Sequence, residues 1–276
     1  MKPETEFEIK PQQRISLGIR EIIDNRELLY FFTWRDIKVK YKQTVLGFAW
    51  AVIQPIMMVI IFTFFFGKTL AVPSDNVPYP IFVFAGLLLW NIFSNGLSNA
   101  ANSMVSNANI IKKIYFPRLI IPLSAILVTL FDFIMAFVLF LGMLVWYKLP
   151  VDPLFFTSSI IISLVLVTLG TFGPGCLLAA LNVKYRDFRY IIPFLIQALL
   201  FITPVIYPVS MIKHPYIKWI IALNPMTGAI NLFRSTITGK DPDINLILVS
   251  TISAVFFFIV GVYYFRKTEA YFADLA

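Results

Sequence analysis

Few residues in this 276-residue chain have the type and spacing that catalysis or metal binding requires. Phe66-Gly67-Lys68-Thr69 contains the Gly-Lys-Thr of a phosphate-binding loop, but Phe62 stands where that loop requires glycine. Asp241-Pro242-Asp243 has the spacing of a glycosyltransferase metal motif, yet it follows Gly239, so we predict a solvated turn. His214 has no cysteine or carboxylate neighbour at ligand spacing. We therefore predict no catalytic site, no metal site and no cofactor in this chain.

Asp132 is the one carboxylate that lies well inside a long apolar segment. An acidic residue within a membrane is a candidate functional residue. No Lys, Arg or His lies in a predicted span, so the sequence offers Asp132 no obvious ion-pair partner, and a protonated or hydrogen-bonded structural carboxyl is an equal alternative. A proton-coupled carrier would usually contain more such residues. Cys176, the single cysteine, is interpreted as a small packing residue.

The composition is that of an integral membrane protein. The chain is 59% hydrophobic and 14% charged with a mean hydropathy of +0.80, whereas a soluble domain is about a quarter charged. The net charge of +8 is typical of cytoplasmic loops rich in Lys and Arg, so no nucleic-acid partner is predicted. The fold class predicted is all-α.

Apolar segments of about 20 residues can cross the hydrocarbon core as helices. Residues 1–27 are polar and are predicted to form a cytoplasmic arm, and 28–276 a transmembrane domain. Between 26 and 42 a stripe of Tyr30, Trp34, Ile37 and Tyr41 beside lysines predicts an amphipathic helix in the headgroup layer, or a docking face for another protein. Six spans are predicted, namely 45–66, 81–101, 119–146, 153–181, the apolar run that ends at 203–208, and 244–265.

Two short helices, 212–223 and 225–238, are predicted before the last span. Asn224 before Pro225 is a helix start signal, and Gly239 is a stop signal. Because Asn224-Pro225 splits this apolar stretch, we expect the two helices to enter the outer leaflet or lie on it as a rim.

Polar residues share one face of the second predicted span. They are Asn91, Asn95, Ser98, Asn99 and Asn102. Amides in hydrocarbon require partners, so this face meets either other helices, through hydrogen bonds, or a wet translocation path. The sequence leaves both alternatives open.

The charge distribution predicts the orientation. With the N-terminus in the cytoplasm, 17 of the 23 Lys and Arg residues fall in inside segments and 6 in outside segments. This bias predicts that both termini are cytoplasmic. A short intracellular helix is expected between the second and third spans, and the YRDF turn 185–188 between the fourth and fifth.

These features together resemble the membrane subunit of a type-2 ABC exporter, in the branch that exports O-antigen, teichoic acid and related polysaccharides. The resemblance covers roughly residues 28–270, and its most specific motifs are LNVKYRDFRYIIPFLIQALLFITPVIYP and LNPMTGAINLFRSTITG. It also includes the basic helix before VLGFAWAVIQP and the segment NANIIKKIYFPR.

The resemblance implies a homodimer in the bacterial inner membrane, joined to two copies of an ATP-binding subunit that holds ATP and Mg. The cargo would be a polysaccharide linked to polyprenyl diphosphate. Contacts with the ATPase would come from a coupling helix at about 107–115 and from the YRDF turn, through Asn109, Lys112, Lys113, Tyr115, Tyr185, Arg186, Asp187 and Phe188. The first and fifth spans would flank the path, with Phe194, Phe201 and Tyr207 as lining residues beside Asn91, Asn95 and Asp132.

Three other readings of the sequence remain. An exporter of a drug or small lipid would share the fold, and the aromatic content of 16% only leans towards a sugar path. A membrane-embedded glycosyltransferase would usually require clustered charges on one side, which are sparse here. A proton-coupled carrier would depend on Asp132 alone.

Overall fold

The structure is a computed structural model that describes residues 19–42, 49–114, 116–269 and 272. Within these ranges the chain forms helices and no strands. They are α1 (Ile19–Asp24), α2 (Arg26–Lys42), α3 (Trp50–Phe62), α4 (Tyr79–Ser106), α5 (Ala108–Ile111), α6 (Ile120–Trp146), α7 (Pro153–Lys184), α8 (Phe188–Ile202), α9 (Pro215–Ala222), α10 (Pro225–Thr238) and α11 (Ile244–Thr268). The prediction of an all-α membrane protein is confirmed.

Five helical segments are long and apolar enough to cross a membrane: Trp50–Thr69, Tyr79–Ser106, Ile120–Trp146, Pro153–Lys184 and Ile244–Thr268. The first is α3 continued by a π-helix, Thr63–Thr69. The predicted fifth span is the apolar helix α8, which has 15 residues, fewer than the roughly 20 needed for a straight crossing. A six-span topology fits this arrangement if the irregular backbone after Ile202 completes the crossing.

α4 is the centre of the bundle. Every residue from 81 to 90 is buried, and α4 contacts α3, α6, α7, α8 and α10. A helix that is apolar on all sides is stable only when it is surrounded by protein or lipid, so the other helices are arranged around α4.

α7 and α11 approach each other closely at two glycines. A Cβ atom built on Gly261 would lie 1.9 Å from the carbonyl oxygen of Gly173, and one on Gly173 would lie 2.4 Å from the backbone of Phe258. Only glycine at both positions permits this backbone contact. Gly173, which precedes Pro174 in α7, therefore permits close packing of the two helices.

The two short helices before the last span form as predicted. α10 has its predicted bounds, and α9 begins three residues later and ends one residue earlier than predicted. The Asn224 side chain accepts a hydrogen bond from the Met226 backbone N–H at 3.0 Å and so caps α10. Gly239 ends α10 with φ of +65°, a conformation that glycine adopts without strain. Ser250 of α11 holds both helices, because its hydroxyl donates to the Ala222 carbonyl at 2.9 Å and accepts from the Gly228 N–H at 3.0 Å.

We call the end of the bundle at which α4, α7 and α11 finish and α6 begins the basic end. The N-terminal helices are attached there. Glu21 of α1 pairs with Arg266 of α11 at 2.5 Å, and Arg35 of α2 donates to the Asn107 side chain at 2.9 Å. Residues 1–18 lie outside the described residues, so the boundary between arm and membrane domain stays a prediction.

Candidate functional site

A cavity of about 480 Å³ lies between α2, α3, α4 and α6. α4 contributes the amides of Asn91, Asn95 and Asn99, and α3 contributes Trp50 and Gln54. The wall on the α2 and α6 side is formed by Lys40, Tyr41, Thr129, Asp132 and Phe133. Amides, a carboxylate, an ammonium group and an indole can together contact a polar, hydroxyl-rich molecule.

Asp132 has partners that the sequence did not predict. Its two carboxylate oxygens accept hydrogen bonds from the Lys40 ammonium group and from the Tyr41 hydroxyl. The expectation that Asp132 lacks an ion-pair partner was wrong, because that reasoning considered only residues within the spans. Lys40 reaches Asp132 from α2, which lies before the first span.

Tyr41 is fixed on both sides at this point. Its ring packs against Phe131, with 5.9 Å between the ring centroids. Burial raises the pKa of the Tyr41 hydroxyl, and the hydrogen bond to Asp132 raises this pKa further. The hydroxyl therefore stays protonated at neutral pH and acts as a donor to the carboxylate, which has Lys40 as its counter-ion.

The polar face of α4 lines a cavity at one height and forms interhelical hydrogen bonds at another. Asn91, Asn95 and Asn99 line the cavity. One turn closer to the basic end, the Asn102 side chain accepts a hydrogen bond at 3.1 Å from Asn182 of α7, which also donates to the Ala101 carbonyl at 2.9 Å. The amides thus line a cavity in the middle of α4 and join helices near its end.

The aromatic residues of α8 do not line this cavity. Phe194 is 73% exposed and Phe201 is 56% exposed, so both extend away from the described protein. Tyr207 is half-buried, and its hydroxyl donates to the Ile202 carbonyl at the end of α8 at 2.7 Å. Of the predicted lining residues, Asn91, Asn95 and Asp132 line the cavity, and Phe194 and Phe201 lie on an outward face of α8. Tyr207 lies beyond the end of α8 and in neither group.

Six of the eight predicted ATPase contacts lie exposed at the basic end. The helix in the α4–α6 connection is shorter than expected, Ala108–Ile111, and Tyr115 lies outside the described residues. Asn109, Lys112 and Lys113 are exposed, as are Tyr185, Arg186 and Asp187, while Phe188 is partly buried. The Tyr185 and Phe188 rings lie 6.4 Å apart. Both loops can be reached by a partner at this end.

Arg234 is a structural residue that the sequence analysis did not single out. It was counted as an outside charge, yet it is only 6% exposed. Its guanidinium donates to the carbonyls of Phe82 and Pro204, at 3.1 Å and 2.6 Å, and to that of Val205. Its Cζ lies 3.7 Å from the centroid of the Phe82 ring. The sequence signal that could have predicted this role is the position of Arg234 beside Phe233 in an apolar segment. An arginine buried in such a segment requires hydrogen-bond acceptors for its guanidinium.

The Asp241-Pro242-Asp243 motif supplies the N-cap of α11. Asp243 caps α11 by accepting from the Leu246 N–H at 3.2 Å, and Asp241 is exposed. Cys176 is buried, in agreement with its interpretation as a packing residue. Within the described residues no three His, Cys, Asp or Glu side chains are placed to bind a metal ion.

The described chain is an all-α membrane protein with a central buried helix, a polar cavity within the bundle and exposed basic loops at one end, features that suit a transport component. Residues 27–238 match the model of the ABC-2 type transporter family, and the chain belongs to that family. It is therefore a component of an ABC transporter and not an enzyme.

Similar proteins are named as polysaccharide transport components. The chain is 28% identical to an O-antigen export system permease protein RfbA of Klebsiella pneumoniae, over 90% of this chain and 95% of that protein. It is 29% identical to an RfbA of Myxococcus xanthus, over 79% of this chain and 82% of that protein. It is 20% identical to the polysialic acid transport protein KpsM of Escherichia coli, over 85% of this chain and 91% of that protein.

Proposed function

We propose that this chain is the membrane subunit of an ATP-driven exporter that moves a lipid-linked polysaccharide, such as O-antigen, across the bacterial inner membrane. The observation that carries the proposal is similarity over 90% of the chain to a protein named for O-antigen export. The polar cavity supports it, because amide, carboxylate and indole groups are suited to hydroxyl-rich cargo.

The exporter would contain two copies of this chain and two ATP-binding subunits. Two exposed apolar faces support the dimer. One lies on α3 and the π-helix that continues it, at Ile60, Phe64 and Phe65, and the other on α8, at Phe194 and Phe201. An apolar face of this kind is covered by lipid or by a second helix bundle. ATP and Mg would be held by the partner subunits.

The basic end would face the cytoplasm, with both termini on that side. Support comes from the Lys and Arg residues in its loops, which are typical of cytoplasmic segments. In this orientation the α4–α6 loop and the YRDF turn would contact the ATP-binding subunits. Closure of those subunits on ATP would move the loops, and α4 and α7 would transmit the movement to the cavity and to α8.

The test is to produce the tagged chain in its native host, purify it in mild detergent and identify the proteins that co-purify. We expect an ATP-binding subunit in a one-to-one ratio and ATP hydrolysis by the preparation. A host lacking this gene should accumulate polysaccharide in the cytoplasm and lose it from the cell surface. Unchanged surface polysaccharide in the deletion strain, together with co-purification of an ATP-binding subunit from the strain that produces the tagged chain, would indicate an ABC transporter of another cargo.

A further inference from the structure

The outward side of α2 has a feature that transport of the cargo does not explain. Phe31, Trp34, Lys38 and Lys42 occur at positions i, i+3, i+7 and i+11, so they form one stripe along the helix. All four side chains are exposed, Trp34 by 44%. We call these four residues the α2 stripe. With the neighbouring Arg35 and Val39, they line a shallow groove of about 300 Å³.

The basic residues of α2 are divided between the two sides of the helix. Arg35 is engaged with Asp36 at 2.7 Å and with Asn107, and Lys40 with Asp132. Lys38 and Lys42 have no carboxylate within ion-pair distance among the described residues. Two cations on the stripe are therefore available to an anion from outside the chain.

The spacing of the two lysines suits a single anionic group. Residues four apart on a helix are neighbours, about 6 Å apart at Cβ, so both ammonium groups can approach one phosphate. Lys38 also lies 5.2 Å from the Trp34 ring centroid, so the indole and the ammonium group form a continuous surface. Indole and lysine together are typical of the membrane interface, where the ring meets acyl chains and the ammonium group meets phosphate.

The position of the stripe in the chain agrees with this environment. α2 ends at Lys42, eight residues before α3 begins at Trp50, and α3 begins a segment of spanning length. Lys38 and Lys42 therefore lie close to the point at which the chain enters the membrane. The inward face of α2 is attached to α6, through Lys40 and Tyr41 on Asp132, which leaves the stripe facing away from the bundle.

We propose that the α2 stripe is a binding site for an anionic phospholipid of the bulk membrane, with the phosphate held by Lys38 and Lys42 and the lipid body against Trp34 and Phe31. This site is separate from the cavity and does not depend on the identity of the cargo. A lipid bound here contacts the helix that supplies Lys40 to Asp132.

The experiment uses the permease purified with its ATP-binding subunit, and the permease alone for comparison, and measures bound lipid by native mass spectrometry. Phosphatidylglycerol, phosphatidylcholine and undecaprenyl diphosphate are added separately and in competition. We expect preferential binding of phosphatidylglycerol. Because each lysine at an anionic surface contributes about a fivefold gain in affinity, Lys38→Gln/Lys42→Gln should weaken phosphatidylglycerol binding roughly 20-fold and leave phosphatidylcholine binding unchanged.

The control variant Lys68→Gln/Lys213→Gln removes the same net charge from exposed residues outside α2. It should bind phosphatidylglycerol as the wild type does. Trp34→Ala should also weaken binding and Trp34→Phe should restore most of it, because the aromatic surface is retained. All variants must elute as the wild-type complex in gel filtration.

Four results would overturn the proposal. The first is equal phosphatidylglycerol binding by the Lys38→Gln/Lys42→Gln variant and the wild type, and the second is an equal loss of this binding in the control variant. The third is complete displacement of phosphatidylglycerol by an equimolar amount of undecaprenyl diphosphate. The fourth is that the permease binds phosphatidylglycerol alone but not in complex with the ATP-binding subunit. The third result would show that the α2 stripe binds the lipid carrier of the cargo, and the fourth that it binds the ATP-binding subunit. None of them would contradict export of a polysaccharide, which the deletion strain tests separately.

Discussion

The sequence indicated the chemistry of Asp132 but not its partners. Its chemistry was evident, because a carboxylate inside a long apolar segment must find a partner or lose its charge. Its partners were not evident, since Lys40 and Tyr41 lie more than 90 positions earlier in the chain. Only the packing of α2 against α6 brings the three side chains together.

We predict that the Lys40–Asp132 pair acts as a unit in export. Asp132→Asn and Lys40→Gln should each reduce the surface polysaccharide of a complemented deletion strain several-fold, and the double variant should be no worse than either single variant. The pair is partly exposed, so the free energy of unfolding should change by no more than about 1 kcal/mol.

The control is Asp241→Asn, which changes an exposed turn carboxylate outside the cavity. Quantitative blotting of surface polysaccharide at matched protein levels measures the effect. Full export by Asp132→Asn would show that the carboxylate is structural only. Additive losses in the double variant would show that the two residues act independently.

A second prediction for a single residue concerns Arg234 and the stability of the protein. Arg234→Met would remove the donor to the carbonyls of Phe82, Pro204 and Val205, and buried acceptors without partners cost about 1–3 kcal/mol each. We expect a loss of about 3 kcal/mol or more. Arg234→Lys should not restore it, because an ammonium group cannot reproduce the fork of donors.

Thermal unfolding of purified variants in detergent measures this loss. Lys240→Met is the matched control. It removes a nearby cation that pairs with Asp75 at 2.6 Å but is half exposed, so its effect should stay below about 1 kcal/mol. An Arg234→Met protein with the wild-type midpoint would contradict the structural role.

Among the elements, those with strong local signals were predicted most closely. Asn224-Pro225 and Gly239 define the ends of α10, because capping and left-handed backbone depend on the residues themselves. The helix of the α4–α6 loop and the length of α8 were predicted less well. The bounds of these two helices depend on their contacts with other helices, which cannot be predicted from composition.

The close packing of α7 against α11 predicts that a larger residue at Gly261 destabilises the protein. Gly261→Ala would place a methyl group 1.9 Å from the Gly173 carbonyl oxygen, so the two helices must separate. Overpacking of a tight contact costs about 3 kcal/mol, and we expect a correspondingly lower thermal midpoint and reduced protein levels in the membrane.

Gly142→Ala is a suitable control for that substitution. A Cβ atom at Gly142 meets nothing within 4 Å, and alanine favours a helix by about 1 kcal/mol relative to glycine. Gly142→Ala should therefore unfold at the wild-type temperature or slightly above it. If Gly261→Ala were equally stable, the close contact between α7 and α11 would not exist in the protein.

At the scale of the whole molecule, the membrane class followed from composition alone. The cavity did not, because it forms where α2, α3, α4 and α6 leave a gap between residues far apart in the chain. The face of Asn91, Asn95 and Asn99 was visible as a periodic pattern. Whether such a face contacts helices or a cavity depends on the neighbouring helices, and α4 meets both.

The last prediction concerns the exposed YRDF turn at the basic end. A permease and an ATPase work together only if movement passes between them. Arg186 and Asp187 are exposed between α7 and α8. They are therefore available to a partner without a direct part in holding the bundle. Arg186→Ala and Asp187→Ala should leave membrane insertion and complex assembly intact while lowering export several-fold, because a weakened contact transmits less of the ATP-driven movement to α8.

ATP hydrolysis and surface polysaccharide must be measured on the same variants. The expected pattern is hydrolysis that persists or falls modestly while export falls strongly, so that more ATP is used for each polymer moved. Lys267→Ala, an exposed basic residue at the same end but on α11, should change neither quantity. If both turn variants exported normally, the coupling contact would have to lie elsewhere. The exposed residues Asn109 of α5 and Lys112 and Lys113 just after it would then be the next to alter, because they lie at the same end of the bundle.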